Sequence, residues 1–300
     1  MRMPRFLLAI LMVLTTASIA EASDIFKLMA DAEAGNVEAQ IELGNEYYFG
    51  GTIEQNYREA INWFTKAAEK GHPLAQSNLG AMYGEGRGVT QNHPLALQWY
   101  NKSAEQGNMF AQYNLGEAYE EGAGVDTDYS VAVKWYELSA EQGLADAQFK
   151  LGSLYNKGLG VEKNLALAIE LHRKAALQGH AGGQLSMGLF HIFPGPLEDG
   201  TEAIKWFELM SEQGDLRGYY NIGEMYFRGM AVTKDNTEAF KWYKKSAVQG
   251  LPEGQRQLGL MYALGNGTSK DLEEGIRWLK KSAEQGDEKA IKVLSLTEPK

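Results

Sequence analysis

Glycine recurs along this chain with a regularity that a single globular core does not need. One series falls at Gly35, Gly71, Gly107, Gly143, Gly179, Gly214, Gly250 and Gly286, in steps of 36 except for one of 35. A second series keeps pace at Gly44, Gly80, Gly116, Gly152, Gly188, Gly223 and Gly259. A fixed period of this length marks stacked units, each unable to bury its apolar face alone. The 300 residues therefore read as one repeat array of seven copies, not as two domains around separate cores.

Copy three shows the unit. Ala111, Leu115 and Tyr119 stand four residues apart, on one face of a helix. Gly122-Ala123-Gly124 ends that helix and turns the chain. A second helix follows, with Ala132, Trp135, Tyr136, Ser139 and Ala140 as an apolar stripe running to Gly143. The predicted fold is all-α: an α/α superhelical solenoid of about seven 36-residue helix-turn-helix repeats with half-repeat caps. Residues 23–35 form an N-terminal capping helix, 36–286 the repeats, and 287–300 a C-terminal capping helix and tail. Trp135 is expected to be buried between copies three and four.

The pattern A-Q-x-x-L-G-x-x-Y, then G-x-G-V, then A-x-x-W-[YF]-x-x-[AS]-A-x-x-G resembles the Sel1-like repeat, a longer-looped relative of the tetratricopeptide repeat. The resemblance covers nearly the whole chain after residue 35. It implies a noncatalytic scaffold that binds another protein in its concave groove. Family precedent includes periplasmic regulators and virulence factors, and a cell-wall binding protein or enzyme related to peptidoglycan or β-lactams is the rival reading.

Residues 1–22 stand apart from the repeats. Arg2 and Arg5 precede an apolar run from Phe6 to Leu14, and Ala20-Glu21-Ala22 supplies small residues for cleavage. These are the parts of a secretory signal peptide, and the run is shorter than the ~20 residues a spanning helix needs. An exported protein beginning at Ser23 is expected, periplasmic or secreted from a bacterium. Its loss of two arginines and Glu21 takes the net charge from −10 to −11. Such an acidic chain lacks the basic stripe that nucleic acid needs, and suits a basic partner.

The chemistry-bearing residues are sparse. There is no cysteine, which removes disulfides and thiolate sites together. No H-E-x-x-H, G-x-S-x-G or P-loop lysine motif occurs, and no serine stands three residues before a lysine. No metal or cofactor is expected. His172 replaces a repeat aromatic and reads as a packed ring, whereas His72 and His180 read as helix-start residues. Copy five departs from the others, with His191 for the core tyrosine and Phe193-Pro194-Gly195-Pro196 for the glycine turn. Ile192 and Phe193 are expected to be exposed there.

Numbering each copy from the glycine before it, and advancing 100° per residue, sets positions 3, 6, 10 and 13 opposite the core positions 4, 8 and 12. In tetratricopeptide-like stacks the first helices line the groove, so this face is the predicted partner site. Its candidate residues are Phe110, Tyr113, Glu117, Phe149, Leu185, Leu189, Tyr220 and Glu224. Position 6 places Tyr113, Phe149, Leu185 and Tyr220 in four successive copies as an exposed ladder, with Glu117 and Glu224 selecting basic groups.

Overall fold

The computed structural model describes residues 16–193 and 197–296, with side chains from 24 onward. Among the described residues there are sixteen helices and no strand. Two compact units divide them, one running to residue 147 with 159–161, the other comprising 148–158 and the chain from 162. Residues 1–15, Pro194 to Pro196 and 297–300 lie outside the described residues, and with them most of the expected signal peptide and proline turn. A helix over Thr16–Glu33 runs through the expected cleavage point.

The pairs follow the sequence pattern. Copy two has helices Pro73–Glu85 and His93–Ala104, and copy three Met109–Glu121 and Tyr129–Glu141. Short polar residues start the helices. Asn56, Asp128, Asp199 and Asp235 each accept two backbone N–H bonds at the head of a second helix, satisfying donors that the helix cannot pair internally. First helices other than that of copy five end on a left-handed glycine, Gly122 at φ 75° for copy three. The closing half-repeat is present as Glu288–Ser295, capped by Asp287, with Ala290 buried.

The second glycine series owes its place to size. A Cβ on Gly116 would stand 2.6 Å from the Tyr136 ring. The second-helix ring therefore lies directly on the backbone of its own first helix. Phe64 lies on Gly44, Tyr100 on Gly80, Phe207 on Gly188 and Tyr243 on Gly223 in the same way. Tyr136, Phe64, Phe207 and Tyr243 are among the largest fully buried side chains. The expectation for Trp135 needs correction. It is half-buried, packing on the cluster of Leu97, Ala104, Ala111, Leu115 and Ala118 from copies two and three. Its neighbour Tyr136 takes the buried place because it faces the glycine.

Polar side chains tie the two helices of a copy to each other and to the copy before. In unit one, Gln106 Nε2 donates to Gln76 Oε1 at 2.7 Å, and Gln142 Nε2 to Gln112 Oε1 at 2.7 Å. Gln76 and Gln112 in turn donate to the carbonyls of Ala68 and Ala104. Buried amides paired in this way fix the register between copies without leaving an unsatisfied group. Unit two keeps the tie from Gln178 to Gln148 and from Gln285 to Gln255. It fails at copy five, where the buried Gln184 Oε1 accepts nothing.

Copy five also corrects an expectation. Ile192 is buried and only Phe193 stands in solvent, 60% exposed. His191 turns inward, its Nδ1 2.6 Å from the Leu197 carbonyl. His172 packs as expected of a ring, with Phe149 at 5.2 Å and Phe190 at 5.7 Å. Burial first, and the nearby His180 second, lower its pKa to about 4.

Candidate partner-binding surface

The expected ladder does not stand open. Tyr113 lies in unit one, while Phe149, Leu185 and Tyr220 lie in unit two, and all four are half-buried. Tyr113 packs on Tyr136 with ring centroids 5.7 Å apart, and Tyr220 does the same on Tyr243. Phe149 is held between His172 and His180. The helical wheel treated the first helix alone. It missed the ring that the second helix lays on the glycine at position 9, which covers the neighbouring position 6.

The two glutamates also have internal roles. Glu224 is only 8% exposed. Tyr243 Oη donates to its Oε1 at 2.7 Å, Gln257 Nε2 donates to the same oxygen at 2.9 Å, and Arg228 Nε lies 2.6 Å from Oε2. Burial opposes its charge, yet these bonds hold its carboxyl below the usual range. It is a structural anion, not a selector of partner charge. Glu117 accepts the Tyr113 hydroxyl at 2.7 Å and is half-buried. Of the expected residues, Phe110 at 44% and Leu189 at 37% are exposed.

What the first helices of unit one do present is a pair of slots in equivalent places. Between copies one and two, Asn45, Tyr48, Phe49, Phe64, Asn78 and Ala81 line a cavity of about 220 Å³. Between copies two and three, a cavity of about 200 Å³ is lined by residues including Gly84, Glu85, Tyr100, Asn114, Glu117 and Glu121. The floor of each slot is the ring seated on the repeat glycine. Positions 10 and 13 of the predicted face thus line slots, whereas position 6 is covered. Aligning the copies makes part of this visible, because Gly84 occupies the place of Tyr48 and Glu120.

Tyr100 differs from its counterparts. Tyr136 donates to Glu120 and Tyr243 donates to Glu224. No hydrogen bond is made by the Tyr100 hydroxyl among the described residues, since Ala81 and Gly84 stand where those carboxylates would be. Burial, then the charges of Glu85 and Glu117, raises its pKa. No group of three histidine, aspartate or glutamate side chains among the described residues is arranged to hold a metal ion.

The Sel1 repeat family model matches seven successive stretches, residues 37–72, 73–108, 110–144, 145–180, 183–215, 216–251 and 252–287. The chain belongs to the Sel1 repeat family. Sel1 repeats build a protein–protein interaction fold. A solved Sel1-type structure, a protective antigen present in uropathogenic Escherichia coli strains, is 40% identical, with a TM-score of 0.75. That match covers 88% of this chain and 57% of the antigen's, so the chain spans little more than half of that relative. A Sel1 repeat protein from Oxalobacter formigenes is 30% identical over 96% of this chain and 83% of its own, with a TM-score of 0.69. Comparison with curated proteins gives no match. No helix among the described residues of this Sel1 protein is long and apolar enough to cross a membrane.

Proposed function

We propose that this Sel1 repeat protein is an exported, noncatalytic scaffold that binds a partner protein along its first helices. The observation that carries this reading is the pair of slots that the first helices of unit one line, with Phe49 exposed in the wall of one of them. Phe49 is 74% and Phe110 44% exposed in unit one, and Leu264 is 65% exposed in unit two. The acidic chain, at net −10, favours a basic partner by steering its approach.

Export rests on the tripartite sequence of residues 1–22, and cleavage before Ser23 leaves the half-repeat that begins the array. N-terminal sequencing of protein from the exported fraction tests this step. A chain starting at Ser23 supports it, and an intact Met1 in the soluble cytoplasm overturns it. Capture with the mature chain as bait, repeated with Phe49→Ser and Phe110→Ser together, tests the binding surface. Loss of the captured protein with unchanged helicity is expected, and retention rejects the first-helix surface.

A further inference from the structure

The charge of this acidic chain is not evenly spread. Residues 24–147 hold 19 acidic and 7 basic side chains, whereas residues 236–296 hold 8 acidic and 10 basic. Many cations of the second stretch gather on the second helices of copies six and seven. Lys241, Lys244 and Lys245 stand at i, i+3 and i+4 on the helix Asn236–Val248, and Arg277, Lys280 and Lys281 repeat them on Leu272–Glu284. That spacing puts each triplet on one helical face, and all six residues are exposed. No other copy has three cations at these places. Lys241 pairs with Glu238, and Arg277 lies near Glu273 and Glu274. The other four form no ion pair among the described residues. Lys245 and Lys281 rest on the rings of Trp242 and Trp278, 3.7 and 4.2 Å from the centroids, which holds their stems without neutralising their charge.

Opposite charge of the same period stands on copies one and two. Glu69 and Glu105 are 36 residues apart, as Lys244 and Lys280 are, so one repeat step separates the members of each pair. Both glutamates are exposed where second helices end, Glu69 closing Tyr57–Glu69 and Glu105 capping His93–Ala104. Neither has an ion-pair partner among the described residues. A carboxylate there adds to the negative end of the helix dipole, so a cation arriving from outside is favoured by both. The places aligned with Lys241 and Lys244 hold the uncharged Asn62, Thr65, Gln98 and Asn101, and Lys66 and Lys102 are turned onto Trp63 and Trp99. Copy three instead puts Lys134 in this row. We propose that the second helices of copies six and seven dock on those of copies one and two of another molecule of this chain, Lys244 and Lys280 meeting Glu69 and Glu105. The contact joins unlike surfaces, so it adds molecules head to tail or closes them into a ring. It uses no residue of the first-helix slots and does not depend on what they bind.

Sedimentation velocity of the mature chain across a concentration series tests this. The weight-average sedimentation coefficient should rise with concentration at low salt, and the rise should vanish in about 1 M salt, where charges are screened beyond ~3 Å. Lys244→Glu with Lys280→Glu should abolish the rise, and so should Glu69→Lys with Glu105→Lys. Circular dichroism checks that these exposed substitutions leave helicity unchanged. An equimolar mixture of the two double variants should associate again, because the reversed surface of each then faces its opposite charge on the other. Carbodiimide coupling of mixed unlabelled and isotope-labelled wild-type chains should join Lys244 or Lys280 to Glu69 or Glu105 across the two labels. A wild-type chain that stays monomeric at low salt overturns the proposal, as does a rise that either double variant retains. A mixture that fails to associate overturns the pairing of these two surfaces. Wild-type binding to phosphatidylglycerol vesicles without self-association, lost in Lys244→Glu with Lys280→Glu, would give the basic surface to a membrane and overturn the proposal as well.

Discussion

The Tyr136 ring lies where a side chain on Gly116 would begin, 2.6 Å from an added Cβ. That contact sets the distance between the two helices of copy three. Gly116→Ala should force the ring or the helix to move and cost about 1–3 kcal/mol, as overpacked cores do. Urea denaturation followed by circular dichroism measures it. An unchanged midpoint would mean that the ring is not fixed against the backbone.

The adjacent pair separates burial from mere apolarity. Tyr136 is fully buried and bonded to Glu120, whereas Trp135 is half-buried. Tyr136→Ala should cost about 3–5 kcal/mol, the range for deleting a large core ring, and Trp135→Ala clearly less. The two denaturation midpoints decide the order. A larger loss from Trp135→Ala would return the tryptophan to the core.

Copy six carries the one non-glycine residue with positive φ among the described residues, Ala231 at 55°. Most other copies have glycine at this turn. Here the facing residue has shrunk instead, since a Cβ on Gly200 would run into the Ala231 carbonyl. Gly200→Leu, the residue type at the same place in copies four and seven, should destabilise by about 1–3 kcal/mol through overpacking. Thermal melting of this variant beside wild type is the check, and an equal melting temperature would contradict the contact.

Much of this architecture was legible in the residues. The glycine period gives the copy number, and the apolar spacing gives both helices and their core faces. The ladder at position 6 was misplaced because one helix's wheel says nothing about what its neighbour lays on it. Position 9 held the missing signal, since glycine repeated in the middle of a helix is costly unless something packs against it. Glu224 looked like a surface acid for the same reason. Its partners Tyr243 and Gln257 come from the two following helices and reach it only after folding, whereas Arg228 stands one turn on along its own helix.

Histidine provides the pH dependence. His172 is 2% exposed, and burial holds its pKa at about 4, below the usual value. In unfolded chain it binds a proton near pH 6.5. Between those values the unfolded state holds more protons, so stability falls as pH drops from about 6.5 towards 4. At about 1.4 kcal/mol per pH decade the loss approaches ~3 kcal/mol. His172→Phe should remove this part of the acid sensitivity, measured by denaturation at pH 7 and pH 5. An identical pH profile in the variant would show that His172 takes up its proton in the native protein at the same pH as in the unfolded chain.

The central claim is that first helices carry the partner, and site-specific photocrosslinking tests it most directly. A crosslinker at Phe49, exposed beside the apolar slot, is compared with one at Leu138, 45% exposed on the second helix of copy three. Irradiation in the exported fraction should give a discrete adduct from position 49 and none from position 138. Gly84→Gln with Ala81→Phe should abolish that adduct. An adduct from position 138 alone would place the partner on the second helices and contradict the account.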